Sequence, residues 1–192
     1  MDKIISINIE TNGNTTSVVI DTDKPSTANL LKRAILSEIE TWAIDIVIFD
    51  VNTSPRYDEV IALRLGQLVI DHTKFAPEGN EFRTRIDFSG PGDFTSDDIQ
   101  GIPFAYKTPI ATLRQNQSIK CEVIAKKGTG KMHVKWRPVS TVSIAQVENG
   151  YRVAFKSIGM MPGDQIWKEA IQKIENVLER KPINLFFGLI TD

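Results

Sequence analysis

The chain is poor in the side chains that build metal centres and covalent frameworks. Its 192 residues include one cysteine, Cys121, and two histidines, His72 and His133. A single thiol excludes an internal disulfide framework, and three soft ligands are too few for a Cys/His structural zinc site within one chain. The sequence therefore predicts no metal and no cofactor. Long apolar runs are missing too. Nothing approaches the roughly 18 apolar residues of a membrane span, and the N-terminus MDKIISINIETNG has no apolar core. Net charge is nearly absent: 23 Lys/Arg against 24 Asp/Glu give −1, which excludes a uniformly basic nucleic-acid coat. With 41% hydrophobic and 24% charged residues, the composition is that of an ordinary folded protein. Together these features imply a soluble intracellular chain, long enough for one large domain or two small interleaved ones. Nucleus, cytoplasm and virion all remain open as its location.

What charge there is lies unevenly. From Lys107 to Arg137 there are eight Lys/Arg and one acid, Glu122, a local +7, while the rest of the chain carries −8. Such a block faces a phosphate backbone or an acidic protein surface, or else forms a solvated basic sheet face.

The first 22 residues read as a β-hairpin, with Ile5, Ile7 and Ile9 alternating and Asn12-Gly13 supplying a positive-φ turn. Asp23-Lys24-Pro25-Ser26 offers helix-start chemistry for a helix from about Ser26 to Glu40. Leu31, Ile35, Ile39 and Trp42 form its apolar stripe, and Leu30, Ala34 and Leu36 widen it beyond what a small sheet needs. Ala43 to Val51 predicts a strand with Ile44, Ile46 and Ile48 on one face. Asp58-Glu59 opens a short helix, and Gly66 is placed to take a left-handed turn at its end. From Gln67 to about Asn149, short apolar runs alternate with the clusters PEGN, SGPGD, TSDD and QGIP, the pattern of a β-rich module. Tyr151, Val153 and Phe155 alternate as a strand, and Pro162-Gly163-Asp164 starts a helix to about Arg180. That helix carries Ile166, Ala170, Ile174, Val177 and Leu178, with Trp167 and Ile171 alongside. Each end alone is too small to bury a core. The expected fold is therefore α+β: residues 1–50 and 150–192 form one discontinuous domain, an antiparallel sheet plus two long helices, and residues 51–149 are an inserted β-rich module.

Catalytic chemistry is not evident. Lys127-Gly128-Thr129-Gly130-Lys131 looks like a phosphate loop, but a Walker motif needs glycine where Ala125 stands and Ser/Thr where Met132 stands. A Cys121/His133 nucleophile pair is formally possible, yet Cys121 alternates with Ile119 and Val123 as strand filler. No catalytic residue is expected.

Three stretches in order resemble the α-like assembly subunit of cellular RNA polymerases, in its archaeal form, as the third-largest eukaryotic subunit and as the bacterial α N-terminal domain. The first runs from Ala28 through Asn29, Leu30, Leu31, Lys32 and Arg33 to Ile39, then Ala43-Ile44-Asp45, then Asp58-Glu59 and Arg64-Leu65-Gly66. The second is Leu113 to Gln117 followed by Ala125 to Val139, AKKGTGKMHVKWRPV, which resembles the archaeal and eukaryotic form and is the most specific match. The third is Ser157 to Pro162 leading into the last helix. There are departures. Lys32-Arg33 stands where the family has Arg-Arg, losing one bidentate guanidinium. Leu63 replaces a histidine, and the cysteine-bearing metal segment of many relatives is missing. The chain resembles a reduced form, such as a viral or divergent lineage would carry.

The resemblance implies that the discontinuous domain is a dimerisation domain. It implies pairing with a smaller α-like subunit and docking on the second-largest catalytic subunit, among other polymerase subunits, with little or no direct DNA contact and no membrane. Leu31, Ile35, Ile39, Ile166, Ala170, Ile174 and Val177 would divide between the chain's own core and the dimer contact. Asn29, Lys32 and Arg33 match the helical docking position, although an Arg on a helix is also simply solvated. Lys126, Gly128, Gly130, Lys131, His133, Lys135 and Trp136 would form a rigid docking loop, with core packing as the other reading of Trp136. The apolar tail Ile183 to Ile190 would be covered by other subunits. The alternative function is a nucleic-acid-binding module, in which the lysines of residues 107–137 neutralise phosphates while His133 and Trp136 stack on bases.

Overall fold

The computed structural model describes residues 5–180, with side chains from Ile9 to Asn176. The expectations for the Ile5, Ile7, Val177 and Leu178 side chains and for the tail 183–190 lie outside the described residues. The chain is α+β, with antiparallel sheets and three α-helices among the described residues. It packs as two units. One takes the described residues of Met1–Ile39, Val139–Lys156 and Pro162–Asp192, and the other takes Glu40–Pro138 and Ser157–Met161.

The first unit is a four-stranded antiparallel sheet carrying two helices. Strands β1 (Ile5–Asn12) and β2 (Thr15–Asp21) form the hairpin, turning at Gly13 with φ 58°. β2 pairs with β9 (Gly150–Ser157), and β8 (Val139–Val147) closes the order β1-β2-β9-β8. Period-2 alternation buries Thr16, Val18 and Ile20 on β2 and Val153 and Phe155 on β9. Helix α1 (Pro25–Ser37) packs on β8 and on α3 (Gly163–Arg180), and α3 also meets β1 and β2. Gly163 sits where a Cβ would run into the Thr16 side chain, so glycine is what lets α3 start this close to the sheet.

Two details of α1 differ from expectation. No side chain caps it: Lys24 is the N-cap, and Pro25 at the first helical position presets the backbone, with Thr27 N–H donating to the Lys24 carbonyl. The helix also ends at Ser37, closed by Glu38 N–H on the Ala34 carbonyl, so Trp42 is not part of its stripe. Thr41-Trp42-Ala43-Ile44 is a β-favouring run with a partner strand available, and the pairing wins.

That run opens β3 (Glu40–Asn52), which lies in the second unit because its partner β7 (Ser118–Thr129) lies there. β4 (Glu81–Ser89) completes the order β3-β7-β4, and β5 (Gly92–Thr95) with β6 (Pro109–Leu113) makes a separate two-stranded ribbon. Helix α2 (Asp58–Gly66) packs on β3. The core joins Trp42, Ile44, Ile61, Leu65, Phe94 and Cys121 with their apolar neighbours.

Ile44, Ile46 and Ile48 do not share a face. The register of β3 slips between Ile44 and Ile46 and again between Phe49 and Val51. A bulge adds one residue and so exchanges the two faces. Ile44 is buried, Val47 and Phe49 take over the core side, and Ile46 and Ile48 are 38% and 46% exposed. Gly66 is the last residue of α2 rather than a left-handed cap. Gln67 N–H closes the helix on the Leu63 carbonyl, and a Cβ on Gly66 would meet the Ile44 carbonyl at an ordinary 3.5 Å.

Candidate interaction site

The segment linking β7 to β8 is built around one indole. Trp136 is 4% exposed, its Nε1–H donates to the Lys126 carbonyl at 3.1 Å, and its own carbonyl accepts the Thr41 hydroxyl at 2.7 Å. Gly128 lies directly beneath the ring: a Cβ there would stand 2.5 Å from Trp136 Cε2, so only glycine allows this approach. Lys135 Nζ reaches back to β3, 2.6 Å from Asp45 Oδ1 and 3.2 Å from the Ile44 carbonyl, and it stands 4.4 Å from the centre of the Trp136 ring. The bulge between Ile44 and Ile46 is where this contact falls, and it turns Asp45 out of the strand toward the lysine. His133 Nδ1 accepts the Lys135 N–H and so starts the short 3₁₀ turn Val134–Trp136.

The residues that the sequence groups as a loop are thus brought together, but they do different work. Trp136, Gly128 and Lys135 hold the loop to its own sheet, and Gly130 is buried. Lys131, Met132, His133 and Val134 face solvent, and Lys126 is half-buried. Beside them runs an apolar groove of about 400 Å³, lined by Leu63, Leu68, Val69, Val134, Ile158 and Met160 with His133 and the Asp45–Lys135 pair. Leu63 and Val134 are 60% and 61% exposed on it. Sequence reasoning missed this groove and Thr41. The hydroxyl of Thr41 finds its acceptor 95 residues away, and no local pattern encodes that.

On α1, Asn29 and Arg33 are exposed, with Lys32 half-buried between them. Spacings of three and four put the three on one side of the helix. Neither Lys32 nor Arg33 has an acidic partner among the described residues. Leu31, Ile35, Ile39, Ile166, Ala170 and Ile174 are all buried inside the first unit, and so is Trp167. Burying such side chains stabilises a fold by roughly 1.5–3 kcal/mol each, reason enough for their positions. The apolar surface that α1 still offers is Leu30, with Leu36 half-buried, and on α3 Ile171 is half-buried.

Four of the eight Lys/Arg of the basic block are answered by acids from outside it. Lys107 pairs with Asp97 at 3.5 Å, Lys120 with Asp87 at 2.9 Å, Lys126 with Glu81 at 3.8 Å and Lys135 with Asp45 at 2.6 Å. Exposed pairs add little stability, but they offset part of the field that a polyanion would feel. Base stacking on Trp136 is likewise closed off by its burial. Cys121 is buried in β7, and that burial, with Asp50 and Asp58 near it, pushes its thiol up to about 11, far from a nucleophile's range. Among the described residues no cluster of three or more His, Cys, Asp or Glu side chains is arranged to hold a metal, and no helix is long and apolar enough to cross a membrane.

No family model matches the chain. Curated proteins do. It is 30% identical over 157 residues to DNA-directed RNA polymerase subunit Rpo3 of Methanocaldococcus jannaschii, covering 80% of this chain and 82% of that protein. DNA-directed RNA polymerase II subunit rpb3 of Dictyostelium discoideum is 36% identical over 144 residues, 59% of this chain and 48% of the relative. The Schizosaccharomyces pombe subunit RPB3 is 31% identical over 164 residues, 68% and 55% respectively. The chain therefore spans most of the first relative and about half the length of the two eukaryotic ones.

Proposed function

Because the chain belongs to the Rpo3/Rpb3 family of DNA-directed RNA polymerase subunits, we propose that it is a non-catalytic assembly subunit of such an enzyme. In this reading the first unit, the discontinuous dimerisation domain, pairs with a smaller α-like subunit. The α1 patch Asn29, Lys32 and Arg33 and the exposed loop from Lys131 to Val134 dock the second-largest catalytic subunit. The observation that carries it is the loop: a tryptophan, a glycine and a lysine are spent on fixing it, while its tip presents Lys131 and His133 with two apolar side chains beside a groove. Fixing a surface loop in advance lowers the ordering cost of association, which suits a docking element. Among the described residues, Leu30, Leu36 and Ile171 are the apolar side chains that the two helices of the first unit leave for a partner, and an obligate dimer face would extend well beyond them.

Affinity purification of the tagged chain from its host tests this directly. The expected result is co-purification of a smaller α-like subunit and the large polymerase subunits. Recovery of nucleic acid alone, released by moderate salt, would favour the nucleic-acid-binding reading instead.

A further inference from the structure

His72 lies in the segment after α2 and takes no part in the candidate site. Its loop is held by backbone bonds on two sides, Asp71 N–H to the Pro103 carbonyl at 2.9 Å and His72 N–H to the Met160 carbonyl at 2.8 Å. The imidazole then reaches β3, where its Nε2 accepts the backbone N–H of Trp42 at 2.9 Å. β3 is an edge strand, so every second N–H along it has no neighbouring strand to bond. For Trp42 the imidazole fills that place.

A backbone N–H can only donate. The nitrogen that receives it carries no proton, so this contact exists only with a neutral ring whose hydrogen is on Nδ1. Protonation would set two N–H groups against each other and orphan a buried donor. The charged groups facing the ring are Asp71 from its own loop, itself paired with Lys74 at 2.9 Å, and Lys127 from β7. Lys127 also stands 5.3 Å above the Trp42 ring, and that ring packs edge-on against Phe75 at 5.4 Å. Burial is the largest influence on His72 and, with Lys127, pushes its imidazole below the usual 6.5, while Asp71 acts against them.

We propose that His72 is a proton-sensitive latch on the N-terminal half of β3, closed when the ring is neutral and released in mild acid. Thr41, the residue before Trp42, holds the Trp136 carbonyl, so the latch bears on the strand to which the 128–137 loop is tied. The sign follows from linkage. A histidine held neutral in the fold gives its full contribution above the unfolded value of 6.5 and loses it as pH falls from there toward the lower folded value. The latch belongs to the second unit alone, so loss of the pH response and loss of co-purification are separable results.

The test is amide hydrogen exchange and urea unfolding of the full chain between pH 7.5 and 5.0, with His72→Gln and His133→Gln beside wild type. The glutamine at position 72 keeps an acceptor that does not titrate. The protection factor of the Trp42 amide, corrected for intrinsic exchange, should fall by up to about tenfold for each pH unit below 6.5, levelling off at the lower folded value, in wild type and in His133→Gln. It should stay level in His72→Gln. An equal drop in His72→Gln, or no drop in wild type, overturns the latch. Should His72→Gln fail to fold, ring carbon shifts of wild type decide: titration of His72 below its value in urea supports the latch, and titration at or above that value overturns it.

Discussion

The α1 patch and the 128–137 loop reach a similar result, exposed polar and basic side chains at fixed positions, by opposite means. On α1 the backbone does the positioning. Helical hydrogen bonds set Asn29, Lys32 and Arg33 on one side, and none of their side chains is needed to keep them there. The loop has only two short turns, Met132 N–H on the Thr129 carbonyl and the 3₁₀ turn Val134–Trp136, so side chains supply the rest of the rigidity: the Trp136 indole, the Thr41 hydroxyl and the Lys135 ammonium on Asp45. A residue in the helix patch can therefore serve contact alone, whereas in the loop the residues that fix and the residues that touch are different ones.

That contrast can be broken by substitution. Trp136→Ala removes the hub, and its expected cost to the second unit is about 3–5 kcal/mol, the usual range for a buried aromatic, read as a lowered urea midpoint. A loss below about 1 kcal/mol would mean the loop is held by other contacts. Gly128→Ala should cost about 1–3 kcal/mol by driving a methyl into the indole, and indole fluorescence should shift as the ring is displaced. Arg33→Glu lies at the far end of the scale. The fold should change by no more than about 0.5 kcal/mol, as expected for an exposed helix position. Recovery of the large polymerase subunits with the tagged chain should nevertheless fall sharply, because a reversed charge at a paired interface costs several kcal/mol. If recovery is unchanged, Arg33 is a solvated arginine and the patch is not a contact.

The sequence is most readable where structure is local. Gly13 at the hairpin turn, the α2 start at Asp58 and the α3 stripe all follow from nearest-neighbour chemistry and periodicity. Long-range pairing is where such reading fails. Trp42 continues a 3–4 spacing and so looks helical, but β7 offers that segment a partner strand 85 residues downstream. The bulge beside Asp45 has no local signature either, and it takes Ile46 and Ile48 out of the core. At the candidate site the structure brings the motif residues of the loop together. Their division into pins and contacts is hidden in the sequence, because it depends on Thr41, Asp45 and Lys126 arriving from other strands.

The ion pairs of the basic block have an order in time as well as in space. Asp45, Glu81, Asp87 and Asp97 all precede the lysines they neutralise, Lys135, Lys126, Lys120 and Lys107. A chain is made from its N-terminus at about 5–20 residues per second. Each of these lysines therefore leaves the ribosome after the acid that will pair with it. The fold can then close each of these four pairs as soon as its lysine emerges.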